Sequence, residues 1–198
     1  MKVKICGITN YEDATYAIDF GADALGFVFY EKSPRFINPS DAKKIIDRLP
    51  PFIEKVGLFV NKTSHDTNII SKESHITLAQ IHFEADEEFY KSLSIPHIKV
   101  TRAKNLHDIE KYQDEYRIVD AFVDSYGGEG KSINLDWFND IDSSKIILAG
   151  GLNNKNLLNV AKYNFYGVDV SSGVEKSKGK KDRILLRNFI ETAKNGKI

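Results

Sequence analysis

Short apolar runs recur along the whole chain, separated by more polar stretches with helical spacing. Strands are expected at about Val3–Cys6, Ala24–Phe29, Lys55–Val60, Leu78–His82, His97–Val100, Tyr116–Asp124, Lys145–Ala149 and Gly167–Val170. Most of these runs are continuous rather than alternating, as parallel strands covered on both faces require. Between them, Asn38-Pro39-Ser40 opens a helix well, because proline is pre-set for a first turn. Ala42, Ile45, Ile46 and Leu49 then form one apolar stripe. Thr9 or Asn10 is the expected cap of the first helix, and Thr9 with Glu12 has capping-box spacing. Asp182 caps a last helix whose apolar side is read as Ile184, Leu185, Phe189 and Ile190. The segments 86–92 and 105–113 are polar and give weaker helical signals.

Eight strand-then-helix units predict a single (β/α)8 TIM barrel spanning residues 1–198 as one domain. A flavodoxin-like or Rossmann sheet is the competing architecture, but it would normally need fewer strands. No Gly/Ser tract, proline-rich linker or long charge block divides the series.

Composition narrows the partners. The chain has 28 Lys plus Arg against 28 Asp plus Glu, so no global field points to nucleic acid or an anionic membrane. Any anion site must be local. A single cysteine excludes an internal disulfide, which fits a reducing compartment. With no apolar signal core and no membrane-length apolar window, a cytoplasmic location is expected.

In such a barrel the C-terminal strand ends carry the chemistry. Strand one ends in Cys6, at the edge of a following helix, with Gly7 allowing close approach. Strand four ends in Gln80-Ile81-His82 and strand six in Val123-Asp124-Ser125. Asp120 lies in the same run as Asp124 and is read as structural, one pleat deeper or at the opposite end. Arg35 follows Pro34 in the loop after strand two, where it can be presented to a carboxylate. Gly150-Gly151 and Ser171-Ser172-Gly173 follow strands seven and eight, where backbone amides can cradle phosphate. No His/Cys/Asp grouping has metal-ligand spacing, and no Gly-x-Gly-x-x-Gly follows the first strand. The set offers a thiol and a carboxyl for proton transfer, an arginine for an organic anion and a cradle for phosphate.

These pieces resemble phosphoribosylanthranilate isomerase over essentially the whole chain. The matching segments include Lys4-Ile5-Cys6-Gly7-Ile8-Thr9, Ser33-Pro34-Arg35, Val56-Gly57-Leu58-Phe59-Val60-Asn61 and Gln80-Ile81-His82. They continue with Val123-Asp124-Ser125, Gly127-Gly128, Asp136-Trp137, Leu148-Ala149-Gly150-Gly151-Leu152 and Gly167-Val168-Asp169-Val170-Ser171-Ser172-Gly173-Val174-Glu175. The resemblance implies a (β/α)8 barrel that catalyses an Amadori rearrangement of a small phosphosugar in tryptophan biosynthesis without metal or cofactor, as a monomer or homodimer. It implies Cys6 as general base and Asp124 as general acid. Arg35 would hold the anthranilate moiety, His82 and Asp169 would line the pocket, and Gly150, Gly151, Ser171, Ser172 and Gly173 would bind phosphate.

Three departures from the family pattern bear on loop geometry and affinity: Phe83-Glu84 after His82, Glu129 in Gly127-Gly128-Glu129-Gly130, and Lys176 with Lys178 before the last helix. Two other readings stay open. One is a related phosphosugar isomerase or epimerase on the same scaffold. The other is a phosphate-ligand binding barrel without turnover.

Overall fold

Eight parallel strands close in chain order into a barrel: β1 Lys2–Cys6, β2 Ala24–Val28, β3 Glu54–Phe59, β4 Leu78–Ile81, β5 His97–Ala103, β6 Arg117–Ala121, β7 Ile146–Leu148 and β8 Gly167–Val170. The structure is a computed structural model and describes residues 1–121 and 133–196. Closure is made by β1, which pairs with β2 on one side and β8 on the other. The strands alternate with α1 Tyr11–Asp19, α2 Pro39–Ile46, α3 Ser64–Ser74, α4 Glu87–Lys91, α5 Leu106–Glu110 and α6 Leu157–Val160, and α7 Arg183–Asn195 ends the described chain. A small antiparallel hairpin, β9 Glu175–Ser177 and β10 Lys180–Lys181, lies between β8 and α7. No helix of the described residues is long and apolar enough to cross a membrane.

Continuous burial hides a strict alternation. On β1, Val3 and Ile5 join the apolar layer beneath the helices, while Lys4 and Cys6 point the other way, into the barrel. The barrel's lower interior is plugged by Ile98, Val100, Ile118 and Ala149, with Leu78 and Ile147 packed against them. The polar residues of the site stand on the strands above this plug.

Several local expectations change. Asn10, not Thr9, caps α1, accepting from the Asp13 amide at 2.9 Å. Thr9 Oγ1 instead donates to the Gly179 carbonyl at 2.6 Å and ties the first loop to the hairpin, so no capping box forms with Glu12. Asp182 caps α7 as expected, accepting from the amides of Ile184 and Leu185. The buried face of α7 is Leu186, Phe189, Ile190 and Ala193, whereas Ile184 is 70% exposed. The first turn stands at the rim, so the apolar stripe begins one turn later than its sequence suggests. The strand expected at His97–Val100 runs on to Ala103, which brings Arg102 into register with Asp120.

Candidate active site

The catalytic end is built around β1. Cys6 ends that strand and is 6% exposed. Lys4, two residues earlier, shares its inward face and donates to Asp169 Oδ2 on β8 at 2.7 Å, both side chains being 7% exposed. Gly26 on β2 keeps this corner open: a Cβ there would lie 2.9 Å from Cys6 Sγ and 3.1 Å from Lys4 Nζ. Burial pushes the Cys6 thiol up from its ordinary value, against the Lys4 ammonium, which favours the thiolate. Burial opposes the charge on Lys4 too, but Asp169 and Cys6 outweigh it and raise its pKa.

Arg35 is buried, and its guanidinium is already engaged. Nε and Nη2 donate to the two carboxylate oxygens of Glu175 at 2.8 and 2.7 Å, a bidentate fork. Lys181 completes the cluster, donating to Glu175 Oε1 at 3.0 Å, the Ser171 carbonyl at 3.1 Å and the Cys6 carbonyl at 2.6 Å. The first carboxylate offered to Arg35 is therefore the protein's own.

On the far wall, Asp120 stands on β6, separated from β1 by β7 and β8. Burial, reinforced by the Asp169 charge, raises its carboxyl to about 7. His82 Nε2 lies 3.6 Å from Asp120 Oδ2, and Gln80 Nε2 lies 3.4 Å from His82 Nδ1. Burial, with Arg102 and Lys4 adding to it, lowers His82 to about 3, so its imidazole is neutral at physiological pH. Asp120 therefore stands among the residues of the candidate site, on the inward side shared with Ile118, rather than apart from them. Asp124, Glu129 and the Gly127-Gly128 segment lie outside the described residues.

The two glycine turns come together beside Asp120. Gly150 and Gly151 have φ of +86° and +65°, conformations that favour glycine. The Gly151 carbonyl is held by the side-chain amides of Asn153 at 3.2 Å and Asn156 at 2.9 Å. Ser172–Val174 form a single 3-10 turn after β8. Four buried polar atoms here and on the neighbouring strands have no hydrogen-bond partner among the described residues: Gln80 Oε1, Thr101 Oγ1, Asp169 Oδ1 and Ser171 Oγ. Such atoms are costly in a protein that never meets a ligand. Of the departures, Phe83 packs edge-on against Phe89, and Glu84 points to solvent with Lys176 and Lys178.

Sequence reasoning gave no role of their own to Lys4, Gln80 and Lys181. For Lys4 the signal was its two-residue spacing from Cys6 on a strand. For Lys181 none was available, because its partners are distant in sequence.

Comparisons with known proteins identify the family. A family model described as N-(5'phosphoribosyl)anthranilate (PRA) isomerase matches residues 3–192. An N-(5'-phosphoribosyl)anthranilate isomerase of Nitratiruptor sp. is 56% identical over 194 residues, covering 98% of this chain and 99% of the relative. That of Sulfurovum sp. is 54% identical over 195 residues, covering 98% and 100%. Among solved structures, the phosphoribosyl anthranilate isomerase of Thermotoga maritima superposes with a TM-score of 0.91 at 37% identity, covering 98% of this chain and 99% of the other. A second isomerase structure, in complex with reduced 1-(o-carboxyphenylamino)-1-deoxyribulose 5-phosphate, gives 0.84 at 36% identity with the same coverage. A third is of monomers generated from the dimeric Thermotoga maritima enzyme and gives 0.87 at 34% identity, again covering 98% and 99%. The chain belongs to the phosphoribosylanthranilate isomerase family and catalyses the Amadori rearrangement of N-(5-phosphoribosyl)anthranilate to 1-(2-carboxyphenylamino)-1-deoxyribulose 5-phosphate in tryptophan biosynthesis.

Proposed function

We propose that Cys6 is the general base and Asp120 the general acid of this rearrangement. The observation that carries the pairing is a buried carboxyl raised to about 7, set across the barrel from a thiol. Near neutral pH a good fraction of Asp120 is protonated, as an acid needs. It donates to the ribose ring oxygen as the C1′–O bond breaks, and the anthranilate nitrogen lone pair closes a C=N bond. The protonated Schiff base puts positive charge near Cys6, favouring its thiolate. The thiolate takes the C2′ proton, and the C–H electrons form an enolamine that tautomerises to the ketose. Neutral His82 packs against the acid without competing for its proton. Asp169 Oδ1 is placed to accept from a substrate hydroxyl. Arg35, held flat by Glu175, keeps its remaining N–H groups for the anthranilate carboxylate. Gly150, Gly151, Ser171, Ser172 and Gly173 hold the phosphate through backbone amides and hydroxyls.

The assignment is tested by following loss of substrate fluorescence with the purified protein. Cys6→Ser and Asp120→Asn are each expected to lose about 10²- to 10⁴-fold in turnover while staying folded. Asp124→Asn is expected to stay within roughly tenfold of wild type. An active Asp120→Asn beside a dead Asp124→Asn would transfer the acid to Asp124.

Self-association and location follow the same reading. The opposite face of the barrel holds a cavity of about 600 Å³, lined by Leu78, Ile98, Ile118, Ile147 and Val168 among others. Phe52 stands at its rim fully exposed, and Lys2, Asp23, Glu54 and Lys55 supply both signs of charge around it. A knob beside a hole on one face is self-complementary about a twofold axis. A homodimer through this face is the assembly these features support, and the free Cys6 thiol fits a reducing cytoplasm.

A further inference from the structure

Lys4 is an expensive residue to place inside a barrel. A buried ammonium must be paired, and a pair serving stability alone does as well when replaced by apolar side chains. Asp169 satisfies one of its N–H groups at 2.7 Å. Cys6 is its neighbour on the same face of β1, and the two favour each other's charged forms. The space between ammonium and sulfur is kept clear by Gly26, whose missing Cβ would stand about 3 Å from both. Asp169 keeps its other oxygen unpartnered, so the pair is oriented without being self-sufficient.

Four charged groups face Cys6: Lys4 on β1, Asp169 on β8, Lys181 on β10 and Arg35 in the loop after β2. Lys181 and Arg35 both spend their charge on Glu175, and Lys181 meets Cys6 through the backbone carbonyl rather than the sulfur. Asp169 is negative and opposes a thiolate. That leaves Lys4 as the cation aimed at the sulfur.

We propose that Lys4 is a positioning residue for the isomerisation: clamped by Asp169, its ammonium favours ionisation of the Cys6 sulfur at the place where the C2′ proton is taken. This rests on the reading of Cys6 as the base. It assigns β1 two functional residues at alternate positions, one reacting and one preparing it.

The single cysteine makes the test clean. Thiolate ultraviolet absorbance is followed against pH in wild type, Lys4→Met, Lys4→Gln and Lys4→Arg, with Cys6→Ser as the blank. The thiol midpoint is expected to move up by roughly one unit or more in Lys4→Met and Lys4→Gln, and to return toward wild type in Lys4→Arg. The thiolate-dependent limb of the kcat profile should move with it, and kcat at neutral pH should fall about tenfold or more, with KM within about threefold. A measurement on the unaltered protein covers the case in which no Lys4 variant folds. With nitrogen-labelled lysine, the Lys4 ammonium resonance should shift as the thiol ionises, and this shift should vanish in Cys6→Ser. A folded Lys4→Met with an unmoved thiol midpoint overturns the proposal, as does a Lys4 resonance indifferent to thiol ionisation. If the thiol midpoint moves but the rate profile does not, Cys6 is not the base, and the role of Lys4 in turnover falls with it.

Discussion

Asp120 and His82 hold their protons in opposite senses, and folding stability carries the record. Asp120 is raised from 3.8 to about 7, so between about pH 4 and 7 the folded protein keeps a proton that the unfolded chain has released. Stability from this group therefore falls as pH rises through that window. His82 is lowered from 6.5 to about 3, so over that range the unfolded chain takes a proton that the folded one refuses. Its contribution rises with pH, and the two slopes largely cancel between about pH 4 and 6.5. Single substitutions should unmask them. Relative to wild type, Asp120→Asn should gain stability as pH rises from about 4 to 7, reaching roughly 1–4 kcal/mol at pH 8. His82→Asn should show the reverse trend, gaining as pH falls from about 6.5 to 4. Denaturant titrations at a series of pH values measure both, and a pH-independent difference for Asp120→Asn would remove its raised carboxyl from the account.

At the scale of elements, the turns after β7 and β8 behave as one piece, because their backbones touch. A Cβ on Gly173 would lie 1.8 Å from the Leu152 carbonyl oxygen, so any side chain there drives the turns apart. Gly173→Ala should raise KM about tenfold or more with kcat within a few-fold, and lower stability by about 1–3 kcal/mol. Steady-state kinetics with a thermal melt decide it. If Lys178→Ala raises KM and Gly173→Ala does not, the phosphate is gripped by the hairpin's side chains instead. Much of this element order was legible in the chain, since parallel strands buried on both faces read as unbroken apolar runs and Asn38-Pro39 and Asp182 mark helix starts. What such runs conceal is phase. With no polar alternation to follow, Asp120 could be misplaced relative to Asp124, and Ile184 taken for a core residue in place of Leu186. Pairings such as Arg35 with Glu175 were hidden for a different reason: 140 residues separate them, and only barrel closure makes them neighbours.

The proposed site and the proposed dimer face lie at opposite ends of the barrel, and they can be separated by substitution. Phe52→Glu alters the face opposite the catalytic groups and touches none of them. It should shift sedimentation to the monomer while kcat stays within about twofold, because the site draws its residues from one chain. Unchanged sedimentation, monomeric in both forms, would sink the twofold arrangement. The bonds from Lys4 to Asp169 and from Lys181 to the Cys6 carbonyl span 165 and 175 residues. On the ribosome, the strand bearing the Cys6 sulfur emerges well before the groups that hold it. A nascent chain therefore carries this thiol without its partners until Asp169 and Lys181 have both emerged, and the corner around Cys6 is assembled in one late step rather than growing with length.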